Sequence, residues 1–218
     1  MNYYGAMPTS EVLRRYGYVT PEYHRYDEVE IPRDAVAKAL DKATGLPLAT
    51  LVEIVSHADY EYEDFADDLQ GVGIDADEDG DPFIIERDSG APNEEGRLVE
   101  EAKMNEFPEL EEELKDALKV VKKHRPDVVA DKKQRDGIVN AVIIKVLTDK
   151  LARYPTSIRD DRAMLKKSDI TSRHRMAIEV RLGEKVLLEE ALTMLKTRDD
   201  AGADKGEERP SKKIKSKA

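Results

Sequence analysis

The chain has no cysteine in its 218 residues. That excludes disulfides, thiolate metal sites and cysteine nucleophiles, and it is compatible with a reducing compartment. Long apolar runs are missing as well: no stretch approaches the roughly 18 residues a membrane span requires, so none is expected. The N-terminus shows no basic region followed by an apolar stretch, so no secretory signal is expected. Positive charge is in the minority, with 36 Lys and Arg against 47 Asp and Glu and a net charge of −11. This argues against nonspecific nucleic-acid binding, which needs basic surface to displace counterions. It suits either a basic protein partner or a plain acidic, solvated surface. No G-x-S-x-G elbow, Walker loop or G-x-G-x-x-G occurs, so hydrolase, nucleotidase and dinucleotide-binding activities have no support. The histidines (His24, His57, His124 and His174) lie far apart without metal-type pairing. They read as surface or capping residues, and no metal site is expected.

What is present suits one large domain, or one domain with appendages. Hydrophobic residues make up 39% and charged residues 38%, and the apolar ones cluster into periodic segments able to form a core. A short helix is expected over Ser10 to Arg15 or Tyr16, ended by Gly17. Tyr18 to Ile31 reads as extended or irregular. A second helix fits Arg33 to Ala43, closed by Gly45, and a third begins after Pro47 and runs to about Leu69. Residues 70–96 read as a glycine-rich, acidic loop or hairpin excursion around one β-prone segment, Phe83-Ile84-Ile85.

A helical half follows. Pro108 suits a first-turn position, and Leu110, Leu114, Leu118 and Val121 form a stripe at helix spacing. Ile138, Val142, Val146 and Val139, Ile143, Leu147 give two adjacent stripes, so that helix should be largely buried. A strand is the rival for so β-branched a run, but its length favours helix. Ser157 with Asp160 makes a capping-box-like start. A last helix fits Ser172 to Lys196, with Met176, Val180, Leu187, Ala191 and Leu195 facing inward. Residues 197–218 read as a disordered basic tail, either a nuclear-import signal or simply solvated.

Asp75, Asp77, Asp79, Gly80 and Glu86 satisfy the calcium-loop pattern D-x-[DN]-x-[DN]-G-x5-E. Pro82 stands at the eighth position, where a backbone N–H should pair with a second loop, and proline has none. Turn-forming residues follow Glu86 where a helix should start. The segment therefore reads as an acidic turn before a short strand.

Five of the nine tyrosines fall within the first 23 residues. Asn2-Tyr3-Tyr4-Gly5 and Tyr16-Gly17-Tyr18 could be aromatic packing at turns. They also carry a resemblance. Asn2-Tyr3-Tyr4-Gly5, then Met7-Pro8-Thr9-Ser10-Glu11-Val12-Leu13 and Tyr16-Gly17-Tyr18-Val19, resembles the C-terminal end of a SET domain, where an N-T-Y-G-type motif precedes M-P-N-x-E-L-L-x-x-Y-G-F/Y-V. Tyr3 stands where threonine is usual, and Thr9 where asparagine is. A second block runs from Arg153-Tyr154-Pro155-Thr156-Ser157 through Asp160-Asp161 and Met164-Leu165 to Arg175–Leu188. It is similar to the end of the helical substrate-binding domain of lysine methyltransferases related to the Rubisco large-subunit and fungal ribosomal enzymes. The two blocks place the resemblance over about residues 1–196.

The resemblance implies a mainly α fold: a C-terminal remnant of a β-rich SET domain over 1–31, a helical substrate-binding domain over 32–196, and the tail. It implies S-adenosylmethionine-dependent protein-lysine N-methyl transfer in the nucleus and/or cytoplasm, on a protein substrate of basic, ribosomal or nuclear type. Tyr4 matches the catalytic tyrosine, Tyr16 the one that helps bind S-adenosylmethionine, and Tyr18 the aromatic lining the lysine channel. The chemistry is consistent. Lysine titrates near about 10.4 in water, so an amine that attacks a sulfonium methyl must first lose its proton. An aromatic channel disfavours the ammonium by desolvation and aligns the nitrogen. The family's glycine-containing and Asn-His cofactor motifs have no counterpart in this sequence. The chain is therefore expected to bind cofactor poorly by itself. A non-catalytic helical interaction module is the other function the sequence allows.

Overall fold

Two glycines with positive φ end the first two helices. Helix α1, Thr9–Tyr16, stops at Gly17 (φ 73°), whose N–H donates to the Leu13 carbonyl at 2.9 Å. Helix α2, Arg33–Thr44, stops in the same way at Gly45 (φ 68°), which donates to Asp41 at 2.8 Å. Glycine enters this left-handed region without the Cβ clash other residues meet. The computed structural model describes residues 7–19, 25–46, 82–88 and 103–204. Tyr4, the helix expected from Pro47 to Leu69, most of the calcium-like loop, His24, His57 and residues 205–218 lie outside that set.

Three strands form one antiparallel sheet in the order β1-β2-β3: Glu28–Ile31, Phe83–Asp88 and Lys103–Met104. Val29 stands opposite Ile85 and Ile31 opposite Phe83. All four are buried, while Ile84 faces outward. This period-two alternation buries one face of the pair and fixes its register. The β-prone segment expected within a loop or hairpin excursion is thus the middle strand, and the end of the stretch expected to be extended or irregular is its extended edge partner. Glu86 sits within β2, so no exiting helix begins there as a calcium loop would require.

Four more helices follow among the described residues. Helix α3 spans Pro108–His124 with its proline in the first turn. Helix α4 spans Lys132–Ala152, capped by the Asp131 carboxylate accepting from the Gln134 N–H at 2.8 Å. Helix α5, Ile158–Leu165, opens with the expected Ser157–Asp160 capping box. Helix α6 spans Ser172–Asp204, eight residues past the expected end at Lys196. Arg198 explains part of that extension, because it pairs with Glu111 of α3 at 2.7 Å and ties the added turns to the bundle. Of the remaining histidines, His174 is exposed in the first turn of α6 and His124 closes α3.

The core is continuous across these elements. Leu110, Leu114, Leu118 and Val121 of α3 meet Val139, Val142, Ile143, Val146 and Leu147 of α4, with Leu187, Leu188, Ala191 and Leu195 of α6. Val36 and Leu40 of α2 join the same cluster as the inward face of the sheet. Met176 and Val180 are only half-buried, because the first turns of α6 reach past the core to α5. Arg33, at the start of α2, makes a two-pronged pair with Glu113 of α3 (2.6 and 3.1 Å) and stacks 4.5 Å above the Phe83 ring. Helix α1 packs on α6, so residues 9–16 and 28–31 are integral to the helical unit among the described residues.

Candidate functional site

The second signature block folds into a buried ionic corner. Asp161, in the first half of α5, is fully buried. Its carboxylate accepts from Thr156 Oγ1 at 2.7 Å, from Arg181 Nη2 at 2.5 Å and Nε at 3.1 Å, and from Lys185 Nζ. Lys185 is 1% exposed and also donates to the Thr156 carbonyl at 2.8 Å. Burial alone would raise the Asp161 pKa. The donors from Arg181, Lys185 and Thr156 outweigh it and hold the group at about 2. Arg181 and Lys185 lie four residues apart, so one face of α6 presents both cations to α5. Together these contacts lock α5, its entry loop and α6 in one orientation.

Beside this corner lies a cleft of about 220 Å³, lined by Ser10 of α1, Glu28, Val29 and Glu30 of β1, Lys150 and Tyr154 at the end of α4, and Glu184 of α6. The Tyr154 hydroxyl donates to Glu184 Oε2 at 2.7 Å. Burial first, and then the bond and charge of Glu184, push the phenol well above its usual range. Burial also raises the Glu184 carboxyl, with Asp27 adding to the rise while the Tyr154 hydroxyl and Lys150 oppose it. Glu28 faces Glu86 across the β1–β2 ladder. Its carboxyl is raised by burial first, then by Glu86, Glu30, Glu11 and Asp27. The cleft is therefore a region of crowded negative charge relieved by one lysine.

The crowding has a measurable consequence. Between the ordinary carboxylate value and the raised one, the folded chain holds a proton at Glu28 that the unfolded chain has released. The Glu28 contribution to stability therefore falls as pH rises through that window. Glu28→Gln should raise stability at pH 7 by a few tenths to about 1 kcal/mol, since Glu28 is only partly buried and solvent screens its neighbours. The gain should vanish near pH 4, as urea denaturation at the two pH values will show.

Tyr16 and Tyr18 occupy the far end of α1. Gly17 turns the chain between them, and their rings lie 6.2 Å apart at 38°. Both are 44% exposed. The base of α1 is anchored where the Thr9 N–H donates to the buried Asp27 carboxylate at 3.1 Å. Ser10, in the cleft, and Tyr16 are six residues apart on this helix, about 9 Å along its axis. The structure thus brings Tyr16 and Tyr18 together at one end of α1, with Tyr4 outside the described residues. Their exposed rings suit a sulfonium or ammonium group, but the acidic cleft does not include them. The described residues do not enclose a cofactor around them. Sequence reading missed Glu28, Glu30 and Glu184 as a group, because they meet only through the β1–α6 contact. Tyr154 stood in the signature block without an assigned role.

The described residues form a mainly helical unit with an acidic cleft, built on a small sheet. Residues 103–188 match the family described as Rubisco LSMT substrate-binding. The matched span runs from β3 to the middle of α6 and contains the Asp161 corner, Tyr154 and Glu184. No match was found between the chain and curated proteins.

Proposed function

We propose that this chain supplies the substrate-docking part of a SET-type, S-adenosylmethionine-dependent protein-lysine N-methyltransferase. The observation that carries this reading is the match of residues 103–188 to the Rubisco LSMT substrate-binding family. Tyr4, Tyr16 and Tyr18, placed by resemblance to the end of a SET domain, add to it. Tyr4 would act at the reacting amine, Tyr16 at the cofactor and Tyr18 along the lysine channel. S-adenosylmethionine would supply the methyl group. The tyrosines would exclude water and align a neutral amine, because an aromatic wall desolvates the ammonium more than the free base. A lysine-rich segment is the substrate class the acidic cleft favours, with Glu28, Glu30 and Glu184 available to its cations.

Two measurements test this. A lysine-rich peptide should bind the 218-residue chain more tightly than its norleucine-substituted counterpart. The Glu28→Gln/Glu30→Gln/Glu184→Gln variant should lose about tenfold in affinity, since each exposed or half-buried pair is worth up to about 1 kcal/mol. Equal binding of the two peptides contradicts the basic-substrate assignment. The second is calorimetric titration with S-adenosylmethionine. Binding by this chain alone should be weak, because the family's glycine-containing and Asn-His cofactor motifs have no counterpart in this sequence, and micromolar affinity would contradict the docking-part assignment.

A further inference from the structure

A second groove, of about 250 Å³, runs between α2 and α4 and has the opposite charge. Its floor is apolar, formed by Ile31, Ala39 and Val146, which are buried, with Ala35 half-buried beside them. Its walls carry five cations: Lys38 and Lys42 from α2, Lys145 and Lys150 from α4, and Arg153 just past the end of α4. Asp149 is the one acid in the lining. Two of the cations are neutralised within their own helices, Lys38 by Asp34 at 2.6 Å and Lys145 by Asp149. Lys42, Lys150 and Arg153 form no ion pair among the described residues, although Lys150 also borders the acidic cleft and acts electrostatically on Glu184, and Arg153 acts on Asp34.

The chain carries a net charge of −11, yet Lys42, Lys150 and Arg153 gather along one trough. Two of the three sit at helix ends, Lys42 in the last turn of α2 and Lys150 in that of α4, where the helix dipole accounts for a cation. The dipole does not account for their lining one groove with an apolar floor, or for Arg153 joining them.

We propose that the groove between α2 and α4 docks a short acidic peptide segment, with carboxylates on Lys42 and Arg153 and an apolar side chain on the floor between Ala35 and Val146. Length and charge select this occupant. Ala35 to Lys42 covers about 10 Å of helix, the reach of roughly three extended residues. Nucleic acid is disfavoured, because the surrounding acidic surface repels a long polyanion, whereas a short segment meets only the groove. The site is independent of the methyltransferase reading and can fail without it.

The probe is a fluorescein-labelled hexapeptide, Asp-Glu-Leu-Asp-Glu-Leu, followed by anisotropy against the full chain at about physiological salt. Its neutral counterpart, Asn-Gln-Leu-Asn-Gln-Leu, should bind at least about tenfold more weakly. Lys42→Glu and Arg153→Glu should each weaken the acidic peptide by about fivefold or more, the size expected when an attractive pair of about 1 kcal/mol is lost. Both residues are exposed, so circular dichroism should show the variants folded. Lys133→Glu, on an exposed part of the first turn of α4, should leave affinity unchanged. Equal binding of the two peptides, or indifference to both charge reversals, overturns the proposal. So does tighter binding of a single-stranded oligonucleotide than of the acidic peptide, which would make the groove a polyanion site.

Discussion

Asp161→Asn should lower the stability of the folded chain by about 3–5 kcal/mol, the usual cost of removing one partner from a buried ion pair. The reason lies with Lys185 rather than with the lost carboxylate. Lys185 is 1% exposed, and in the variant every acceptor left to it is neutral: the carbonyl and hydroxyl of Thr156 and one amide oxygen of the new asparagine. A buried ammonium with no counter-charge must admit water or pull its helix outward, and each costs free energy. Arg181 is less affected, because its side chain is 24% exposed and can turn to solvent. Urea denaturation followed by far-ultraviolet circular dichroism measures the loss directly, and a loss under about 1 kcal/mol would refute this account. Asp160→Asn is the control. That residue is exposed and serves the capping box, so its cost should be nearer about 1 kcal/mol. Replacing the pair together, Asp161→Leu with Lys185→Met, should recover most of the loss, since matched apolar groups need no partner.

The same cluster sets an acid limit. The Asp161 carboxyl is held at about 2 against an ordinary value of 3.8. A depressed carboxylate contributes its full stability above the ordinary value and loses it as pH falls through the folded one. Wild type should therefore lose stability between about pH 4 and pH 2 through this group. Asp161→Asn should lack that component, so the two acid-unfolding curves should converge at the low end.

This corner also shows which features can be read from a sequence. The Ser157–Asp160 cap is legible because its partners lie three residues apart and its chemistry is local. The stripes of α3 and α4 are legible because helix period and burial coincide, as Leu114, Leu118, Ile143 and Leu147 show. Gly17 and Gly45 are legible because left-handed helix ends favour glycine. Asp161 and Lys185 stand in the recognised block, yet nothing local distinguishes their burial from the exposure of Asp160. Only the crossing of α5 over α6 decides it. Strand β3 is two residues long and gave no pattern to read. The extension of α6 to Asp204 depends on the Arg198–Glu111 pair, a contact 87 residues apart in sequence. The acidic cleft was beyond reach for the same reason: Glu28 and Glu184 come from elements joined only by tertiary packing.

Ile143→Ala should cost about 2–5 kcal/mol, the range for removing a large aliphatic side chain from a close-packed core. Ile143 is 1% exposed and lies on the face of α4 that meets the shared core. Helix α4 packs against α2, α3 and α6 and touches β1, so the cavity would open where four elements converge and none can close it alone. Ile143→Val removes one methylene and should cost only about 1 kcal/mol. Ile144, next in sequence but half-buried at the edge of the cluster, should lose less on conversion to alanine because solvent already reaches it. Urea titrations of the three variants should rank them in that order, and equal losses at Ile143 and Ile144 would contradict the placement of the α4 face. The effect on binding should differ in kind from that of a cleft mutation. Ile143 lines neither the acidic cleft nor the basic groove, whereas Lys145 and Lys150 ride on the same helix. Ligand affinity for the Ile143→Ala variant should therefore fall only by the fraction of chain unfolded, and should return to the wild-type value wherever the variant is fully folded.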